Sequence, residues 1–288
     1  MTTYRTIDVA VRDGLCIVTQ NRPERLNARN SQMYAEIIAA LEAASADDAV
    51  AAVLLASRGR AFCAGMDFRN EHEHAYTALP GDSERVRRVK AQWSADDPIG
   101  AVVGLAGRFV AAFVEFDKPL FAAVQGGAIG EGFTSLLHCD VVYASPDAYF
   151  WAPFARAGVA PEFCSTVLAP RRLGATLAHA ALYLARRISA EEARDAGFVL
   201  EIVAADDFAG AVEARVQEGL ALAGPPELRG PTLRSYRALV RPEEERKALL
   251  AQADREFALV RARVDRGETE RVRAYYAAHL PGTGAARE

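Results

Sequence analysis

The chain has 288 residues, of which 51% are hydrophobic and 25% are charged. This balance is typical of a globular protein with a substantial core, and it excludes a fibrous repeat or a largely disordered chain. The formal net charge of −4 argues against nucleic acid as the main partner, because neutralising phosphate groups requires clustered Lys and Arg.

Cysteine usage and the N-terminal sequence indicate the compartment. The four cysteines are scattered, without a CxxC pair or the spacing of a disulfide framework, so we expect a reducing environment. The N-terminal residues lack the basic-then-apolar pattern of a signal peptide. No apolar run approaches the roughly 20 residues that cross a bilayer. We therefore expect a cytoplasmic protein with no membrane partner.

The first predicted elements are two strands and a helix. Two β-branched runs, Ile7–Val11 and Leu15–Gln20, flank the turn residues Asp13-Gly14, which predicts a β-hairpin. A helix is predicted to begin near residue 31, with Asn30 or Ser31 as its N-cap. Its apolar positions recur at helical spacing: Met33, Ile37, Ile38 and Leu41.

Three later runs are continuously apolar, as expected for parallel strands that are covered on both faces. They are Ala51–Ser57, Leu120–Gln125 and Val141–Ala144. Because strands and helices alternate, the fold class is predicted to be α/β.

Two further stretches differ in character. Asn70–Glu115 begins polar and charged and ends apolar, which predicts a mobile segment followed by a helix. A hinge is predicted at Gly224-Pro225-Pro226, and the sequence beyond it is helical, notably over Glu243–Val264. Leu249 and Phe257 belong to an apolar face of this last helix, which is predicted to dock on another surface.

Three segments combine glycine, proline and polar residues in a recognisable order. They are NRPERLNA at 21–28, GRAFCAGMDF at 59–68, and a stretch from Lys118 to Asp140 that contains KP, AAVQGGAIG and CD. A weaker fourth segment covers Ile188–Val199. Together they resemble the crotonase (enoyl-CoA hydratase/isomerase) superfamily. The resemblance implies a crotonase-type spiral of repeated ββα units over residues 1–224, and a helical C-terminal oligomerisation segment over residues 225–288.

The glycines of the second and third segments have a physical role of their own. Glycine beside a strand end lets the backbone approach a ligand, and the start of a helix leaves N–H groups without intrachain acceptors. By resemblance, the N–H groups of Met66 and Glu131, next to Gly65 and Gly130, bind a thioester oxygen as it becomes negative. The alternative is that these glycines only form tight turns. A dinucleotide site is disfavoured because the GxGxxG spacing is out of register.

The resemblance also implies how an acyl-coenzyme A substrate is bound. The loop at 21–28 is expected to frame the adenine, with Arg25 either as a phosphate partner or as a solvated loop residue. The expected substrate contacts are Arg25, Leu26, Ala28, Ala64, Gly65, Met66, Asp67, Phe68, Gly130, Glu131, Thr134 and Phe154. No metal or redox cofactor is implied, because coenzyme A arrives as part of the substrate.

Two positions depart from the hydratase pattern of the family, in which two glutamates add water. Thr134 stands where the first glutamate belongs, and Phe154 stands where the second belongs. Neither side chain is a carboxylate base, so hydration is disfavoured.

A different carboxylate lies nearby, in the segment APEFCST at 160–166. This segment resembles that of the peroxisomal-type Δ3,Δ2-enoyl-CoA isomerases, in which the glutamate is the catalytic base. We therefore interpret Glu162 as a base that removes a proton from C2 and returns it at C4, with a pKa raised by apolar surroundings. The alternative is that Glu162 caps a helix beginning near Phe163.

Glu131 has two interpretations. Its carboxylate either points inward as a second catalytic acid or base, or points away as a surface charge. We expect it to point away, because a carboxylate beside the oxyanion would oppose the oxyanion's charge.

The resemblance favours an enoyl-CoA isomerase that forms a homotrimer, or a hexamer built from two trimers. A hydratase, hydrolase or lyase that uses Glu131 is one alternative, and a catalytically silent acyl-CoA-binding protein is another.

Overall fold

The computed structural model describes residues 4–67, 82–91 and 98–268, and beyond these only positions 271, 274, 275 and 278. Most of the polar stretch that begins at Asn70 therefore lies outside the described residues. Within the described ranges, no helix combines the length and apolar character that crossing a membrane requires.

Strands and helices alternate along the chain, which confirms the predicted α/β class. The strands are β1 (Ile7–Arg12), β2 (Leu15–Gln20), β3 (Ala52–Ser57), β4 (Leu120–Val124), β5 (Gly127–Ile129), β6 (Val141–Ala144), β7 (Tyr149–Trp151), β8 (Ile188–Ser189) and β9 (Glu201–Ile202). The α-helices are α1 (Ser31–Ala46), α2 (Glu84–Lys90), α3 (Pro98–Glu115), α4 (Glu131–Thr134), α5 (Phe154–Ala157), α6 (Ser165–Leu173), α7 (Ala175–Leu184), α8 (Ala190–Asp195), α9 (Phe208–Leu222), α10 (Pro226–Val240) and α11 (Glu243–Asp265).

The strands form two sheets. The larger sheet has six strands in the order β1-β2-β3-β4-β6-β9, and all its pairings are parallel except the β1–β2 hairpin. The smaller sheet has the order β5-β7-β8. Both the predicted hairpin and the predicted parallel strands are confirmed.

The larger sheet is covered on both faces, which explains why its central strands are continuously apolar. In β3, Val53 and Leu55 belong to the main core, which also contains apolar residues of α1 and α3. Leu54 and Ala56, on the opposite face of the same strand, pack with Val212 and other residues of α9. Successive side chains of a strand point to opposite faces, so each layer takes alternate residues.

Helix α1 begins where the sequence predicts. Asn30 is its N-cap, and the Asn30 side chain accepts a hydrogen bond from the Met33 N–H at 3.0 Å. A second helix, α2, is attached to it, although α2 lies within the segment predicted to be mobile. The buried Lys90 ammonium donates to Gln32 of α1 at 2.5 Å and to Asp82 at 2.8 Å. These buried charge-assisted bonds stabilise a helix over residues 84–90 that the sequence analysis did not predict.

The C-terminal helices pack on the body of the same chain. Helix α9 ends at Leu222 and α10 begins at Pro226, so the predicted hinge at Gly224-Pro225-Pro226 lies where one helix gives way to the next. Arg237 of α10 pairs with Asp140. On α11, Leu249 and Ala253 are buried, and Phe257 packs beside Gly107 of α3. The predicted docking face thus has a partner within the chain, and the predicted role in oligomerisation stays a prediction.

Candidate active site

The two glycine loops that were predicted to converge lie side by side. Cys63 and Ala128 form a parallel bridge, in which the Ile129 N–H donates to the Cys63 carbonyl at 2.8 Å. Gly65 has φ +90°, and a Cβ placed on it would lie 3.1 Å from the Ile129 carbonyl oxygen and 4.0 Å from Cα of Gly130. Only glycine fits this contact without strain, because its φ is left-handed and the neighbour is backbone.

The backbone N–H groups of Met66 and Glu131 lie next to this contact and have no acceptor among the described residues. The backbone of Arg29 pairs with the loop on either side of Met66. The Arg29 N–H donates to the Gly65 carbonyl, and the Arg29 carbonyl accepts from the Asp67 N–H, both at 2.8 Å. The intervening Met66 N–H faces the other side of this extended segment. Glu131 is the first residue of α4, where an N–H has no intrahelical acceptor.

Gly132 allows α4 to approach the first loop closely. A Cβ on Gly132 would lie 2.6 Å from the Cys63 carbonyl oxygen and 2.8 Å from the Cys63 Cβ. Real Cβ atoms do not approach backbone this closely, so a larger residue here would push the two loops apart.

Asn27 holds the 21–28 loop in place. Its side-chain amide donates to the carbonyls of Arg58 and Ala61, each at 2.8 Å, and its Oδ1 accepts from the Arg22 N–H at 2.9 Å. Leu26 and Asn27 both have positive φ, near +50° and +55°. Such backbone persists when surrounding bonds fix it, as they do here.

The predicted substrate contacts in this loop occupy different environments. Leu26, Ala28 and Ala64 belong to one small buried apolar cluster. Arg25 is half-buried, and its side chain has no hydrogen bond or ion pair within the described ranges. Asp67 is buried and its carboxylate pairs with Arg22 at 3.0 Å, whereas Phe68 lies outside the described residues.

Glu162 faces α4. The hydroxyl of Thr134, on α4, donates to Oε1 of Glu162 at 2.7 Å. Burial of the carboxyl group raises the pKa of Glu162 well above its usual range, and the nearby charge of Glu131 raises it further. The Thr134 hydrogen bond acts in the opposite direction, because it favours the ionised form.

The capping alternative for Glu162 is wrong. Helix α6 begins at Ser165. The carboxylate that bonds to the N-terminus of this helix is Glu256 of α11, which accepts from the Cys164 N–H at 2.8 Å. The Glu162 side chain therefore has no capping role in the structure and is directed to Thr134 instead.

Glu131 points into the protein, which corrects the expectation of a surface charge. The residue is 5% exposed, and its Oε2 accepts a short hydrogen bond from the Tyr34 hydroxyl. Arg29 lies 4.0 Å from Oε1, which has no hydrogen-bond partner among the described residues. Burial raises the pKa of Glu131 to about 7, against the opposing effects of Arg29 and Tyr34. The expected outward orientation was argued from repulsion between the carboxylate and the oxyanion, but the Tyr34 hydroxyl and the Arg29 guanidinium offset the cost of holding this carboxylate inside the protein.

Buried aromatic rings pack around Glu162 and Gly130. Phe154, at the start of α5, is buried, and its ring lies 4.0 Å from where a Cβ on Gly130 would be. Phe163, next to Glu162, packs edge-on against Phe109 at 5.5 Å, and Phe109 packs against Tyr34 at 4.7 Å. The described part of the site thus combines apolar walls with a few polar groups, as ligand sites do.

Sequence reasoning missed three polar residues around the site: Arg29, Tyr34 and Glu256. Tyr34 and Glu256 did leave a signal. Tyr34 lies four residues before Ile38 on the apolar face of α1, and Glu256 lies three residues after Ala253 on the buried face of α11. A polar group on an otherwise apolar helix face needs a partner, which here is Glu131 for Tyr34 and the 164–166 turn for Glu256. Arg29 left no comparable signal.

Comparison with known proteins supports the resemblance. Residues 10–95 and 108–250 match the family model described as enoyl-CoA hydratase/isomerase. Human enoyl-CoA delta isomerase 2 is 33% identical over 255 residues, which are 88% of this chain and 58% of that protein. Mouse chromodomain Y-like protein is 34% identical over 216 residues, which are 75% of this chain and 34% of that protein. The chain thus spans only part of the length of these two relatives.

A solved structure matches along nearly the whole of both chains. The crystal structure of an enoyl-CoA hydratase/isomerase from Pseudoalteromonas atlantica T6c has a TM-score of 0.75 at 30% sequence identity, covering 96% of this chain and 99% of that chain. The predicted crotonase-type architecture is therefore confirmed, and the chain belongs to the enoyl-CoA hydratase/isomerase family.

Proposed function

We propose that this protein acts on acyl-coenzyme A and shifts the double bond of a 3-enoyl-CoA to give the 2-enoyl-CoA. The observation that carries the proposal is the Glu162 carboxyl group, which has a raised pKa and is hydrogen-bonded to Thr134 on the helix that begins at one glycine loop. Thr134 and Phe154 occupy the positions of the two hydratase glutamates, so Glu162 replaces that pair by a single base. Human enoyl-CoA delta isomerase 2 is named for this class of reaction.

Isomerisation needs one base and one oxyanion site. The N–H groups of Met66 and Glu131 would donate to the thioester oxygen, and each such donor typically contributes about 10²–10³ in rate. Glu162 would take a proton from C2, and the electrons of that C–H bond would delocalise into the thioester as a dienolate. Return of the proton at C4 leaves the double bond between C2 and C3.

The coenzyme end of the substrate would lie along the 21–28 loop. Arg25 has no described ion pair and is free to meet a phosphate, which Arg binds well. Leu26, Ala28 and Ala64 supply an apolar surface beside it. Binding there would carry the thioester toward Gly65 and Gly130.

The test compares 3-enoyl-CoA and 2-enoyl-CoA as substrates for the wild-type protein and for Glu162→Gln. We expect the wild-type protein to convert the 3-enoyl-CoA, and Glu162→Gln to lose at least about 10³-fold in kcat with little change in binding, because an amide cannot act as the base. Glu191→Gln is the matched control, because Glu191 is exposed on α8, and it should keep full activity. Near-normal activity of Glu162→Gln would contradict the proposal.

A second candidate function follows from the inward orientation of Glu131. Two carboxylates near one thioester site are suited to hydration, hydrolysis or a lyase reaction, and the raised pKa of Glu131 fits an acid or base. Hydration of 2-enoyl-CoA that Glu131→Gln abolishes would support this candidate. Acyl-CoA binding without any turnover would instead support a silent binding protein. The homotrimer or hexamer and the cytoplasmic location stay predictions.

A further inference from the structure

A carboxylate from the C-terminal helix holds the turn that follows Glu162. Glu256 of α11 is 3% exposed and accepts hydrogen bonds from the Cys164 N–H at 2.8 Å and the Thr166 N–H at 3.4 Å. It also accepts one from the Thr166 hydroxyl. All three donors lie within four residues of Glu162, although Glu256 is far away in sequence. Buried carboxylates bonded by several donors in this way have little freedom to move.

The turn itself has an unusual backbone. Phe163 and Cys164 are consecutive non-glycine residues with positive φ, at 58° and 54°. Single left-handed residues of this kind are uncommon, and two in succession persist only when their surroundings hold them. The Cys164 thiol also donates to the Leu249 carbonyl at 3.1 Å, so α11 contacts the same residue twice. The contacts from α11 thus fall on the strained part of the turn.

We propose that Glu256 is a positioning residue for the reaction: α11 fixes the 163–166 turn and thereby the direction from which the Glu162 carboxylate enters the site. This inference rests on the proposed role of Glu162 as the base. It also assigns to the C-terminal helix a part in building the active site of its own chain, besides the oligomerisation expected from the sequence.

The surroundings of Glu162 give the inference an electrostatic signature. Burial and then the charge of Glu131 raise the Glu162 pKa most, Glu256 raises it further, and the Thr134 hydrogen bond and Arg29 lower it. These are the groups that face the carboxyl from α4, from α11 and from the loop before α1. Removal of the Glu256 charge should therefore lower the Glu162 pKa. A loosened fold would also lower this pKa, because water would reach the carboxyl group, so the charge effect has to be separated from it by a variant that disturbs the same turn and keeps the Glu256 charge.

The experiment measures kcat, KM and the pH dependence of kcat/KM with 3-enoyl-CoA for Glu256→Gln, Glu256→Ala, Thr166→Val and Thr166→Ser. We expect kcat to fall about 10-fold to 100-fold in the Glu256 variants and in Thr166→Val, with KM nearly unchanged, because small misplacement of a catalytic group has effects of this size. The acid limb of the pH profile should move to lower pH in Glu256→Gln and stay in place in Thr166→Val, which keeps the charge. Thr166→Ser keeps the hydroxyl and should be close to wild type.

Glu245→Gln is the matched control. Glu245 also joins α11 to α6, through Arg171 at 2.9 Å, but this ion pair is exposed and lies away from the 163–166 turn. Full activity of Glu245→Gln beside impaired Glu256 variants supports the inference. Wild-type kcat and an unshifted pH profile in folded Glu256→Gln overturn it. If Glu256→Ala does not fold, a wild-type kcat in Thr166→Val overturns it equally.

Failure of this inference is distinguishable from failure of the proposed function. An inactive Glu162→Gln beside a fully active Glu256→Gln rejects only the positioning role. An active Glu162→Gln rejects the base assignment, and the positioning role with it.

Discussion

At the scale of single residues, one hydroxyl joins the two halves of the candidate site. Thr134 belongs to α4, which begins just after Gly130, and Glu162 belongs to the turn before α6, yet their side chains are 2.7 Å apart. In the hydratase pattern the position of Thr134 is itself a glutamate. If Glu162 is the base, as proposed, a hydroxyl at this position supplies a hydrogen bond to the base in place of a second catalytic carboxylate.

Removal of the hydroxyl should change the pH profile in a defined direction. The Thr134 bond lowers the Glu162 pKa by stabilising the carboxylate, so Thr134→Val should raise that pKa. Because the base must be ionised, we expect the acid limb of kcat/KM to move to higher pH and the activity at neutral pH to fall. Thr134→Ser should leave the profile in place. An unchanged profile in Thr134→Val would show that the bond has no effect on the base.

Glu131 should have the opposite effect on the same group. After burial, its negative charge is the largest contribution that raises the Glu162 pKa, so Glu131→Gln should lower that pKa and move the acid limb to lower pH. The isomerase proposal expects this variant to keep turning over 3-enoyl-CoA. A complete loss of turnover, with 3-enoyl-CoA still bound, would favour the two-carboxylate alternative.

The candidate residues were found from local sequence, but the orientation of one side chain was not. Thr134, Glu162 and Phe154 were recognised from local motifs, and the structure places Glu162 beside Thr134 of α4 and Phe154 beside Gly130. The direction of Glu131 depends on Tyr34 and Arg29, which lie about 100 residues earlier in the chain. Local sequence carries no information about such partners.

At the scale of elements, the candidate site depends on how closely α4 packs against the 59–68 loop at Cys63. Gly132→Ala would place a Cβ 2.6 Å from the Cys63 carbonyl oxygen. We expect a loss of about 1–3 kcal/mol in the free energy of unfolding, as for overpacked cores, together with a loss of activity from the separated loops. Urea unfolding and the isomerase assay measure the two effects.

Gly219→Ala is the control for this prediction. Gly219 lies within α9, and a Cβ there would meet nothing within 4 Å. Alanine should therefore stabilise the helix by about 0.5–1 kcal/mol without affecting activity. Equal effects of the two substitutions would argue against a close contact at Gly132.

The elements themselves were predictable to the extent that their signals are local. The hairpin follows from the Asp13-Gly14 turn, and the parallel strands follow from apolar runs that two covering layers require. Helix α2 was missed because the contacts that attach it include one from Lys90 to Gln32, which lies on another helix far away in the sequence. A charged stretch gives no sign that one of its lysines is buried.

At the scale of the whole molecule, the C-terminal helices are integrated with the rest of the chain. Arg237 of α10 is 4% exposed, and its guanidinium pairs with Asp140, which also accepts from the Leu120 N–H at 2.8 Å. Among the described residues, no hydrogen-bond partner exists for the Nε and Nη2 atoms of Arg237. The Asp140 carboxylate is therefore the main group that offsets the burial of the Arg237 guanidinium. Through its bond to the Leu120 N–H, Asp140 also links α10 to the start of β4.

Loss of this link should be costly for stability. Asp140→Ala would leave a buried guanidinium unpaired, and we expect the free energy of unfolding to fall by about 3 kcal/mol. Glu201→Ala breaks an exposed ion pair with Arg215, at 3.0 Å, and should lower the free energy of unfolding by less than about 1 kcal/mol. Similar values for the two variants in chemical denaturation would show that the C-terminal helices contribute little through this pair. The sequence predicted these helices but not the contacts, because Arg237 and Asp140 are 97 residues apart.

The proposed transfer of one proton from C2 to C4 by Glu162 is the step from which the other proposals follow. The most direct measurement uses 3-enoyl-CoA deuterated at C2 and locates the label in the product by NMR. With the wild-type protein we expect 2-enoyl-CoA that carries part of the deuterium at C4, and with Glu162→Gln we expect unchanged substrate. Product formation by Glu162→Gln at a rate near that of the wild type would contradict the assignment of this residue as the base.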